Sequence, residues 1–120
     1  EDANLFATCL RETTEETGIR LNREHLVATL AQQPAGRNFS SPLWVTPFLF
    51  QLTEQPSLKL EPSEVESGFW LATEAFRDES DHVMAEMVPG SSFPAYPLGD
   101  YYLWGFTYRL LRNVLNMEEK

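Results

Sequence analysis

Apolar residues at 5, 6, 9 and 10, with Thr13 beyond them, recur at the three-to-four spacing of one helical face, and Gly18 sits where a helix commonly ends in a left-handed residue. This pattern predicts a helix over residues 2–17. Further along, residues 25–31 give a short strand, and 32–42, with Pro, Gly, Asn and Ser in quick succession, give a loop. The run 43–52 carries the strongest strand signal, rich in aromatic and β-branched side chains. Its near-continuous apolarity predicts cover on both faces, with Pro47 at an edge or a bulge.

After a polar turn at 53–57, residues 58–60 form either a short strand or a lead-in to the next stretch. Residues 61–71 then read as an acidic turn entering an aromatic strand, and Thr73 as the cap of a brief helix through Phe76. Val88 to Pro97 is rich in Pro, Gly and Ser, which predicts a long irregular segment. In this reading His82, Phe93 and Tyr96 decorate exposed loops, with substrate contact as the alternative. His25 falls at an element boundary without a second histidine nearby. The last element is an amphipathic helix over 102–117, with Phe106, Leu110 and Val114 on one side and Trp104, Tyr108, Leu111 and Leu115 beside them.

The polar face of the first helix carries the candidate chemistry. Glu12, Glu15 and Glu16 share one exposed side, although Glu12 and Glu16 are like charges one turn apart and Glu15 and Glu16 occupy the end where the helix dipole favours cations. Only Arg11, four residues before Glu15, offers relief within the helix. The two open readings are a solvated acidic face and a set of ligands for a divalent cation.

Arg11-Glu12-x-x-Glu15-Glu16-x-Gly18-Ile19 resembles the second half of the Nudix box, whose full pattern is Gly, five residues, Glu, seven residues, Arg-Glu-aliphatic-x-Glu-Glu-x-Gly-aliphatic. Thr13 stands where the pattern has an aliphatic residue, and Ala3 where it has its first Glu, with Asp2 one position away. The pattern's Gly falls before Glu1. The wording of 7–13 and the run Tyr102-Leu103-Trp104-Gly105-Phe106-Thr107 are similar to the coenzyme A diphosphatase branch of that family.

The resemblance implies an α/β fold, a Nudix-type α/β/α sandwich with a mixed sheet, of which this chain is a single domain supplying the C-terminal two-thirds. It implies a metal-dependent hydrolase that cleaves a diphosphate linkage in a nucleoside diphosphate derivative, with a coenzyme A-like substrate favoured. Mg²⁺ or Mn²⁺ would be held by Glu12, Glu15 and Glu16, with Glu12 and Glu16 leading. Arg11 would orient the glutamates, Gly18 would end the helix, and Glu64, with Glu66 in reserve, would supply an outside carboxylate as base or ligand. The alternative is a catalytically inactive binding or regulatory module on the same scaffold. Because the strands that precede the box in the family are missing here, completion by a homodimer or by a separate N-terminal segment is expected.

Composition narrows the partners. The 120 residues are 42% hydrophobic, enough for one core, and carry a net charge of −9 with no basic cluster, which argues against nucleic acid or an anionic membrane surface. No apolar run reaches the length of a membrane span, and the one cysteine, Cys9, reads as a small inner-face residue, so a cytoplasmic or organellar setting is expected. There is no internal repeat, P-loop, dinucleotide glycine pattern or zinc spacing.

Overall fold

The computed structural model describes residues 4–35 and 43–117, which combine helices with small antiparallel sheets. The chain divides between Gly68 and Phe69 into two compact units.

In the first unit, helix α1 spans Leu5–Thr17. Its start lies later than the periodicity suggests because Asn4 caps it: the Asn4 side chain accepts a hydrogen bond from the Ala7 amide at 2.8 Å. Asp2 and Ala3 lie outside the described residues. The inner face of α1 packs through Phe6, whose ring meets Phe48 edge-on at 5.4 Å and stacks on Phe50 at 6.1 Å, while Arg23 covers it at 4.8 Å. Such ring pairs contribute about 0.5–1.5 kcal/mol each beyond their buried area. Phe48 and Phe50 belong to β4 (Phe48–Phe50), which pairs antiparallel with β1 (Leu26–Thr29). His25 closes the 3₁₀ turn Arg23–His25, and its Nδ1 accepts from the Asn22 amide at 3.1 Å, so its place at an element boundary has a capping explanation.

The predicted long strand over 43–52 is two strands. β3 (Leu43–Val45) pairs with β2 (Gln33–Ala35), and β4 pairs with β1 in a separate sheet. The break falls at Pro47, which has no N–H to give a ladder, although its carbonyl accepts from Leu30 at 2.9 Å. The expected cover on both faces is absent at the first half: Leu43 is 70% and Trp44 57% exposed. Part of the predicted loop over 32–42 is therefore strand, and 36–42 lies outside the described residues. Residues 58–60 form no strand and serve as a lead-in, and no strand forms at 69–71.

In the second unit, α2 (Thr73–Arg77) begins after Ala72 without a side-chain cap, so Thr73 is its first residue and not its cap. The expected irregular segment over 88–97 is largely the central strand of a three-stranded antiparallel sheet, in which β6 (Ser91–Leu98) lies between β5 (Val83–Val88) and β7 (Tyr101–Trp104). Its prolines are accommodated by stagger. The β5 register on β6 ends at Ala95 and that of β7 begins there. Pro94 thus has no β7 partner and Pro97 no β5 partner, so each missing N–H can face an unpaired side.

The final helix is shorter than predicted, because Tyr101–Trp104 is strand and α3 spans only Gly105–Val114. Its buried residues are Tyr108 and Arg112, one turn apart. Around Tyr108 the core is aromatic: Phe76, fully buried, contacts Tyr108, Tyr96 and His82 at ring distances of 5.7, 5.1 and 4.7 Å. His82 and Tyr96 are half-buried here, not exposed decoration. The Phe76 carbonyl can only accept, so His82 Nε2 donates to it at 2.6 Å, while Nδ1 is bonded to the Tyr108 hydroxyl at 2.5 Å.

Arg112 is 4% exposed and is matched by Glu79 through two parallel hydrogen bonds of 2.9 and 2.8 Å. These bonds hold the guanidinium pKa above its ordinary value. Truncation of Glu79 leaves a buried cation without this partner. Glu79→Ala is expected to cost about 1–3 kcal/mol in urea unfolding followed by tryptophan fluorescence, and Arg112→Met less than Glu79→Ala, because it removes the charge together with the need for a partner. Equal losses would show that the fork contributes only its packing.

Candidate functional site

Residues 10–19 build one wall of the site. The α1 backbone ends at Gly18, whose φ of 78° is left-handed and whose amide donates to the Thr14 carbonyl at 2.9 Å. Thr14 and Thr17 hydroxyls donate back to the Leu10 and Thr13 carbonyls at 3.1 and 2.7 Å, so both side chains are satisfied within the helix. On the outer face, Arg11 takes the partner its spacing predicts: Nη1 lies 2.9 Å from Glu15 Oε1, and Nη2 lies 3.8 Å from Glu12 Oε2. Both contacts are well exposed and individually worth little, but they draw two of the three carboxylates to one side of the helix.

The second wall comes from a segment distant in sequence. The Lys59 amide donates to the Thr17 carbonyl at 2.7 Å and the Glu61 amide to the Glu16 carbonyl at 3.0 Å, so the chain uses helix-end carbonyls that have no acceptor role left inside the helix. The chain then turns: Glu64 and Val65 amides both donate to the Glu61 carbonyl, at 3.0 and 2.8 Å. Glu61, Ser63 and Glu64 are thereby set opposite Glu12, Glu15 and Glu16, enclosing a hollow of about 470 Å³.

Every side chain lining this hollow offers oxygen, and five of the six are carboxylates. That is a donor set suited to a hard divalent cation and not to a soft one. The carboxylates ring the hollow and do not meet at one point: among the described residues, no three His, Cys, Asp or Glu side chains converge at ligating distance. Glu12, Glu15, Glu16 and Glu64 line the same hollow, whereas Glu66 is not among its lining residues. Glu61 and Ser63 were not anticipated. Their only sequence signal is position, one on each side of Pro62 and immediately before Glu64.

The close approach depends on Gly18. A Cβ there would lie 2.8 Å from Lys59 Cβ and 3.3 Å from the Lys59 amide nitrogen, in addition to the strain of a left-handed backbone. Gly18→Ala is expected to destabilise the protein by about 1–2 kcal/mol in chemical unfolding. It should also speed hydrogen exchange at the Lys59 and Glu61 amides more than at amides in the middle of α1. Unchanged exchange at those two amides would mean that the glycine is needed for the helix end alone.

No helix among the described residues is long and apolar enough to cross a membrane. Comparison of the chain with family models, with curated proteins and with solved structures gave no match.

Proposed function

We propose that this protein is a metal-dependent hydrolase that cleaves a diphosphate linkage in a nucleoside diphosphate derivative, a coenzyme A-like molecule being the favoured substrate. The observation that carries the reading is the pairing of the Lys59 and Glu61 amides with the end of α1, which brings Glu64 across a hollow from the Arg11-Glu12-x-x-Glu15-Glu16-x-Gly18 motif. The motif alone resembles the Nudix box. An outside carboxylate on the opposite wall is what that chemistry asks for, and here it arises from backbone bonds unrelated to the motif.

Attack of water on a diphosphate needs neutralisation of two anionic phosphorus centres and a group that takes the proton. Glu12 and Glu16, supported by Glu15, would hold Mg²⁺ or Mn²⁺, which when bound would supply that neutralisation and lower the pKa of a coordinated water. Arg11 donates a charge-assisted hydrogen bond to Glu15 and would favour that carboxylate's orientation toward its side of the helix. Glu64 lines the facing wall and would accept the proton of the attacking water. Ser63 offers a hydroxyl that can donate to a phosphate oxygen, a useful neighbour in a hollow otherwise lined by acids.

The reading extends to the fold and to assembly. The helices and short strands of the two units would then be parts of a Nudix-type α/β/α sandwich completed by further strands. In the first unit, Leu5, Val27, Leu43 and Trp44 are each more than half exposed, which supports completion by a second copy or by an N-terminal segment.

The test is hydrolysis of coenzyme A and of ADP-ribose with Mg²⁺ or Mn²⁺. Turnover is expected, with Glu16→Gln reducing kcat at least about a hundredfold and Glu64→Gln about tenfold or more. Tight binding of either compound without turnover would replace this reading with that of a catalytically inactive ligand-binding or regulatory module.

A further inference from the structure

A second hollow, of about 410 Å³, lies in the second unit between β6 and α3. Its size falls within the roughly 300–1,000 Å³ of small-molecule sites. One wall is Phe93, whose ring is held against Trp104 at a centroid distance of 5.3 Å, and Tyr108, 2% exposed, is another. Met117 adds a deformable apolar side. The hollow is thus aromatic on one side and bounded by the thioether of Met117 on the other.

Two arginines line the same space, and they differ in what they can offer. Arg112 is buried, and its fork is committed to Glu79, so its charge is answered within the protein. Arg109 is exposed at the rim and has no ion pair or hydrogen bond among the described residues. Asn113, one turn further along α3, sits on the same face and adds an amide able to donate or accept. In a chain of net charge −9, an unanswered guanidinium beside an aromatic wall is a local attraction for an anion against the field of the whole molecule.

We propose that this hollow is a binding site for a small aromatic carboxylate, with the ring packed on Phe93 and Met117 and the carboxylate met by Arg109 and Asn113. The site is independent of the acidic hollow of the first unit and shares no residue with it.

The experiment is a titration of the protein with 2-naphthoate, and in parallel with its neutral counterpart 2-naphthalenemethanol, followed by amide NMR shifts. Saturable shifts are expected at Gly105, Arg109 and Asn113 with both probes, and tighter binding with the carboxylate. Arg109→Glu should weaken 2-naphthoate about five- to tenfold and leave the neutral probe within about twofold. Asn113→Trp, which fills the hollow from an exposed helix position, should abolish both, with circular dichroism showing the helix intact. Equal affinity of wild type and Arg109→Glu for the carboxylate would overturn the proposal. So would shifts that survive Asn113→Trp, or that centre on the exposed Trp44. Because no Glu of the first unit is involved, the result is separable from the success or failure of the diphosphatase reading.

Discussion

Two backbone hydrogen bonds, from Lys59 to Thr17 and from Glu61 to Glu16, are the constraint on which the acidic site depends. A helix end leaves carbonyls without partners, and the chain answers them with amides 42 and 45 residues further on. That contact is possible only because Gly18 has no side chain where Lys59 passes. The geometry converts one acidic helix face into a hollow with two acidic walls. Without it, Glu64 is a surface acid of a turn and Glu12, Glu15 and Glu16 are a solvated face.

The concentration of carboxylates costs stability in the absence of a cation, through repulsion between Glu12 and Glu16 and through acids placed at the negative end of the helix dipole. Arg11 offsets part of this from within the helix, and its exposed contacts are too weak to offset all of it. The second unit handles charge in the opposite way. Arg112 is buried among aromatic rings and matched at once by the Glu79 fork, so that region is built for packing around Phe76, His82 and Tyr108.

What could be read from the sequence is what local physics decides. The end of α1, its Gly18 cap and the Arg11–Glu15 pair follow from spacing of three and four residues, and the structure has all of them. The mixed helix and sheet content was also legible. Strand β6 was not, because prolines at 94 and 97 carry a breaker signal, and only the stagger of β5 and β7 across it reveals that each proline faces an open side. The run 43–52 failed for the converse reason: composition reads as one covered strand, while Pro47 hands its halves to two sheets. Glu61 and Ser63 were invisible as site residues because their place depends on pairing with a distant helix end.

The central proposal is that Glu12, Glu15 and Glu16 would hold one divalent cation at the acidic hollow, with Glu61 and Glu64 of the facing wall adding to the negative field that attracts it. Calorimetric titration of Mn²⁺ into the protein, alongside Glu12→Gln and Gly18→Ala, tests it most directly. The account predicts saturable binding near one ion per chain, lost in Glu12→Gln and weakened several-fold in Gly18→Ala, where the facing wall is displaced but every carboxylate is kept. Saturable binding that is indifferent to both substitutions would contradict it.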